Sequence, residues 1–362
     1  MKIVKFISKD PLQKQFGHAL RNNVNAYFES RGISTKGNSA LHLKTIAMLS
    51  FYIVPFLIVL FVPVGNSFAL LLAILMGIGE AGIGMSVMHD AAHGVYSEKK
   101  WVNTLFASSM YMLGGSTFNW KIQHNILHHR FTNIFELDQD IGTRSVLRLC
   151  SHAPINKYQR YQYIYAFFLY GLFTLSKLVT EFAQLIAYNK SGITKEQRHE
   201  PNIETLKLVL SKTLYLFIII GLPILLTSFA WWQVLIGFAA IHVTAGIIMG
   251  TIFQMAHVVE GTGQPLPDSN NIIENEWMVH QLQTTSDFAR NNLLLNWYIG
   301  GLNFQIEHHL FPNISHIHYR DIAPIVEKTA QEYGYIYNLK STFMDALISH
   351  TKRLKELGRL SV

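Results

Sequence analysis

Cysteine is almost absent: the 362-residue chain has one, Cys150. That excludes an intrachain disulfide, a cysteine-ligated iron-sulfur cluster and a Cys-rich zinc site. Charged residues are scarce at 15%, and basic charge is missing altogether between Lys44 and Lys99 and again between Lys212 and Arg290. The opening MKIVKFISKD lacks a long apolar core followed by a small-residue cleavage site, so no secretory signal peptide is expected. There is also no internal repeat and no low-complexity tract. What the chain has in excess is apolar residues, at 49%, and histidine, at 17. The first of these is more than a soluble globular protein usually carries.

A membrane-crossing helix needs about 20 mostly apolar residues. Four windows approach that length, at about 45–64, 68–88, 208–230 and 231–254. A short turn at Pro63 and Gly65 separates the first pair, and Trp231 with Trp232 separates the second, so each pair reads as a hairpin. Both hairpin tips lie in the stretches without Lys or Arg. The positive-inside rule then places both termini and the central segment in the cytoplasm. The net charge of +7 alone would suit nucleic acid, anionic lipid or a phosphorylated substrate. Its distribution favours a cytoplasmic face beside anionic headgroups, and no nucleic-acid motif accompanies it. The apolar stretch 161–188 contains Lys177 and Glu181, costly to place in lipid, and reads as an interfacial helix rather than a fifth span. FGHALRNNVNAY, 16–27, reads as a second interfacial helix, and 319–360 as helical and soluble.

The histidines fall into three clusters: His89 and His93 in HDAAH, His124, His128 and His129 in HNILHH, and His308 and His309 in QIEHH. Residues four apart project from one face of an α-helix, so the first two clusters can each converge on a metal. In the third, Gln305 stands where a further ligand would fall. Any one pair could be structural. Three clusters brought to one side of the bilayer by an independent charge argument are a metal constellation. Imidazole suits zinc, copper, iron and nickel, and at least seven histidines exceed the four ligands of a zinc site, so two metals sharing them is the simpler account. His257, just after the fourth window, is a further ligand candidate and His280 a weaker one. His242, inside that window without a histidine neighbour at helical spacing, reads as structural. Asp90, Asp138, Asp140 and Glu307 are candidates to orient the ligating rings from outside. Glu80, inside the second window, is either functional or paired within the bundle.

These boxes, in this order around two hairpins, resemble the membrane-bound fatty acid desaturase family. The run GGLNFQIEHHLFP, 300–312, is similar to its front-end, acyl-CoA or acyl-lipid branch. The resemblance covers about 39–319. It implies an all-α integral membrane fold, four helices in two hairpins under a cytoplasmic helical cap (89–207 and 255–362), within a single domain spanning 1–362. It also implies a centre of two iron ions using dioxygen as co-substrate, held by His89, His93, His124, His128, His129, His257, His308 and His309, with Gln305 as ligand or orienting group. The substrate would be a fatty acyl-CoA or a membrane lipid. No HPGG haem motif of a fused cytochrome b5 occurs, so electrons are expected from a separate donor such as ferredoxin, or cytochrome b5 with its reductase. The same absence points to a bacterial inner membrane. A hydroxylase could use the same histidines, and a metal transporter would instead line its spans with them.

Overall fold

A computed structural model describes residues 4–142 and 146–359, which are mostly helical. Backbone contacts divide the chain into two compact units, one of Met1–Gly37, Gln123–Ala166 and Ile252–Val362, the other of Asn38–Ile122 and Phe167–Thr251.

Among the described residues, four helices are long and apolar enough to cross a membrane: Ser39–Phe61, Asn66–Ala92, Pro201–Leu226 and Trp231–His257. They follow the four hydropathy windows with shifted ends, and local chemistry accounts for several of the shifts. Asn38 caps the first helix by accepting from Ala40 N at 3.0 Å. That helix stops at Phe61 because Val62 precedes Pro63 and takes an extended conformation. Pro201 opens the third helix, where a missing amide hydrogen costs nothing. Leu71, Leu214 and Leu225 are more than half exposed, as side chains facing lipid would be. Where helices of this unit meet, small residues allow close approach: a Cβ on Gly77 would stand 2.5 Å from the Ile241 carbonyl oxygen.

Several buried polar residues of this unit lie against one another. Glu80 lies 3.5 Å from His242, whose other ring nitrogen meets the Tyr215 hydroxyl at 2.9 Å. His242 is thus held within the bundle, with Glu80 beside it. Glu181 receives Lys212 Nζ at 2.6 Å. Its stretch is not a straight span, since Lys157–Tyr170 and Phe173–Ser191 are bent by 89° at the intervening break.

In the other unit the helix Pro11–Arg31 starts at the Asp10 cap and ends at Gly32, whose φ is 61°. Phe16, Leu20, Val24 and Phe28 form its apolar stripe. The sequence reading placed that stripe at a membrane interface; it is instead buried in protein, in one cluster with Ile322, Val326 and Ala330 of the helix Tyr319–Glu332. Phe304, Ile306 and Leu310 join the same cluster, so the segment carrying the third histidine box is seated on this core. Two short parallel pairs tie loops down, Lys5–Phe6 with Ile272–Ile273 and Asp287–Phe288 with Leu339–Lys340. The C-terminal region is helical as expected, in two pieces, Tyr319–Glu332 and Phe343–Leu357; residue 360 lies outside the described residues.

Candidate metal centre

The second histidine box departs from α-helical geometry. Ile122–His128 forms wide π-type turns, and His129 N–H bonds to the His124 carbonyl five residues back, at 3.0 Å. Such local widening recurs at functional sites. The extra residue in the turn lets His129, as well as His128, lie against His124: ring centroids are 5.3 Å apart for His124 and His128, and 4.7 Å for His124 and His129. His124 Nε2 and His129 Nε2 are 3.2 Å apart.

The helix Gln305–Leu310 brings the third box to the same place. The ring of His129 stacks on His309 at 4.3 Å, and His257 stands 4.6 Å from His128 and 4.9 Å from His309. One ligand atom from each of His128, His257 and His309 lies within 4.8 Å of the others, and the same holds for His129, His308 and His309. All six histidines are buried. His128 Nε2, His257 Nδ1, His309 Nε2 and Gln305 Oε1 are buried with no hydrogen-bond partner among the described residues. Orphaned polar atoms are costly, and several converging on one point are what a bound cation would satisfy. The residues therefore fit a metal site. The Gln305 amide nitrogen donates to His257 Nε2 at 3.0 Å, leaving its carbonyl oxygen over.

The opposite ring nitrogens are fixed from behind. His128 Nδ1 lies 3.0 Å from Asp138 and 3.3 Å from Asp140. Burial alone would lower the pKa of His128, but the two carboxylates hold it at about 9. Asp138 is itself locked by the amides of Asn133 and Asp140, each at 2.9 Å. His309 Nδ1–H donates to Gln281 Oε1 at 2.9 Å, and Gln281 in turn donates to the His129 carbonyl at 3.0 Å. His308 Nδ1 meets the Tyr319 hydroxyl at 3.1 Å. Gln281 and Tyr319 are additions to the sequence-derived set; neither stands in a histidine box, and nothing in the pattern marks them.

Other candidates have different surroundings. His280 donates from Nε2 to the Thr132 carbonyl at 2.9 Å and packs on Phe6; burial lowers its pKa to about 4. It is a neutral prop for the segment between Asp138 and the second box. The Tyr337 hydroxyl lies between Glu307 Oε1, at 2.8 Å, and Asp287 Oδ2, at 2.5 Å, with its single proton for the two carboxyl groups. Burial raises the pKa of Glu307, the adjacent Asp287 raises it further, and the pair braces the third box through Tyr337.

The first box belongs to the other unit. His93 N–H bonds to the His89 carbonyl at 3.1 Å, and the rings lie 4.8 Å apart on one face, as the spacing of four predicts. Trp120 packs edge-on against both, at 5.6 and 5.9 Å. Asp90 is buried beside them.

Comparison with known proteins agrees with these features. A family model described as fatty acid desaturase matches residues 65–341. The sn-1 linoleoyl-lipid 6-desaturase of Arthrospira platensis is 35% identical over 95% of this chain and 92% of its own length. The enzyme of the same name from Synechocystis is 34% identical over 99% and 98%. An acyl-lipid (8-3)-desaturase of Physcomitrium patens is 32% identical over 96% of this chain and 73% of its own. The chain belongs to the fatty acid desaturase family: it is an integral membrane oxidoreductase that desaturates fatty acyl chains.

Proposed function

We propose that the metal is iron, two ions per chain, held by His89, His93, His124, His128, His129, His257, His308 and His309, with Gln305 contributing its carbonyl oxygen directly or by orienting His257. The observation that carries this reading is the convergence of the partnerless His128 Nε2, His257 Nδ1 and His309 Nε2, with His128 and His309 backed by Asp138 and Gln281. Imidazole ligation leaves the choice among several metals, and family membership selects iron. His89 and His93 enter on their sequence pattern and the family resemblance. When bound, the iron supplies the dioxygen chemistry that removes one hydrogen from each of two adjacent methylenes, with electrons from a separate donor such as ferredoxin, or cytochrome b5 with its reductase.

The protein's own part is to hold geometry. Asp138 and Asp140 fix the His128 tautomer so that Nε2 faces the site, Gln281 does the same for His309, and Tyr319 orients the His308 ring. Burial of all these rings keeps bulk water away from a reactive site. The chain acts as one desaturase domain with both termini in the cytoplasm. Its substrate is an acyl group carried in a membrane lipid, a reading supported by the relatives named linoleoyl-lipid 6-desaturases.

The test is a mass-spectrometric fatty acid profile of a bacterial host supplied with ferredoxin and expressing the wild type or His128→Ala. A new unsaturated acid found in the lipid fraction only with the wild type is the expected result. A hydroxylated acid would contradict the reaction while keeping the metal site.

A further inference from the structure

A second site lies elsewhere in the unit that carries the metal centre, where the segment Ile155 to Arg160 meets the end of the helix Phe343–Leu357. There a cavity of about 620 Å³ is lined by Ile155, Asn156, Lys157, Arg160, Gly358 and Arg359. Three of these six are cationic, none is acidic, and all three cations are exposed.

The walls are firmly built. Arg148, 1% exposed, donates to the carbonyls of Ser151, Ala153 and Leu357. Gln162 bridges the Arg148 and Leu354 carbonyls at 2.9 and 2.8 Å. Gly358 sits so close to the Gln159 carbonyl oxygen that a Cβ would lie 2.1 Å from it. The backbone that carries the cationic rim is thus held in place by buried polar contacts.

The flank of the cavity is apolar and aromatic. Lys157–Tyr161 is a 3₁₀ turn, in which residues three apart share a face, so Lys157 and Arg160 point the same way. Tyr158, Tyr161 and Ile164 beside them are 64%, 51% and 65% exposed. Exposed tyrosines and an isoleucine next to a cationic pocket are the composition of a surface that enters the headgroup layer and neutralises a phosphate there. A soluble anion would need the cations but not the apolar flank.

We propose that this pocket receives the phosphate of an anionic phospholipid, with Tyr158, Tyr161 and Ile164 entering the surrounding headgroup layer. The site is independent of the metal centre and anchors its unit to the membrane surface.

Native mass spectrometry of the full-length protein in detergent, titrated with phosphatidylglycerol or phosphatidylcholine, tests it. Each basic residue near a headgroup is worth about fivefold, so the wild type should favour phosphatidylglycerol by tens-fold or more. Lys157→Gln/Arg160→Gln/Arg359→Gln should bring the two lipids within about threefold, while Lys14→Gln/Arg21→Gln, on the exposed side of the first helix, should keep the preference. If the triple variant does not fold, Arg160→Gln alone is read, with about a fivefold loss expected. A wild type without preference, or a triple variant that keeps it, overturns the proposal. Displacement of the lipid by millimolar inorganic phosphate also overturns it, since the pocket would then serve a soluble anion.

Discussion

His128 Nδ1 lies 3.0 Å from Asp138 Oδ2 with both groups buried, and the other nitrogen of the ring is left facing His257 and His309. Asp138 cannot rotate away, because two backbone amides also hold it. Loss of such a partner typically costs 10- to 100-fold in metal affinity or activity, so Asp138→Asn should lower turnover by about that factor. Asp140, 28% exposed and 3.3 Å from the same nitrogen, should matter less. Iron content and turnover of the two purified variants would check this order, and equal effects would break it.

Gln305 offers the site a carbonyl oxygen while its amide nitrogen holds His257. Gln305→Leu removes both functions and should reduce turnover at least about tenfold with little change in melting temperature. Gln305→Glu restores an oxygen and should recover part of the loss. Identical kinetics for the two variants would show that the oxygen is irrelevant.

Asn133 adopts φ 57° and donates from its side chain to the carbonyls of His257, Gly263 and Thr284 at 2.9, 3.1 and 3.2 Å. One side chain thereby ties together the segments that carry the second box, His257 and Gln281. Asn133→Ala loses these bonds and adds left-handed backbone strain, a destabilisation of about 2–4 kcal/mol. Asn133→Gly avoids the strain and should be about 1 kcal/mol less damaging. Thermal unfolding in detergent would measure the gap.

His350 is buried, donates from Nδ1 to the Val258 carbonyl at 2.7 Å, and burial lowers its pKa from 6.5 to about 4. Between those two values the unfolded chain binds more protons than the folded one, so stability falls as pH falls from 6.5 to about 4 and levels off below. In metal-free protein, His350→Gln should flatten that part of the melting-temperature profile. An unchanged slope would mean that His350 does not contribute to it.

The membrane-crossing helices were readable because long apolar runs and missing lysines are properties of single segments. His89 and His93 were readable for the same reason: a spacing of four in an α-helix needs no knowledge of the rest of the chain. His128 and His129 were readable only as a cluster, since the wide turn that aligns both with His124 depends on packing. Gln281 and Tyr319 were hidden because neutral side chains become ring-orienting groups only through where the fold puts them. Glu307 lies between box residues in sequence, and its side chain turns to Tyr337 beside Asp287. The stripe Phe16, Leu20, Val24, Phe28 has the pattern of an interfacial helix, and pattern alone does not distinguish lipid from the helix Tyr319–Glu332 that covers it.

The most direct measurement is iron per chain in purified wild type and in His128→Ala, each alongside its fatty acid product. About two irons in the wild type, falling in the variant together with loss of the unsaturated product, is the predicted result. Full activity in His128→Ala with undiminished iron would contradict the assignment of these histidines as the metal centre.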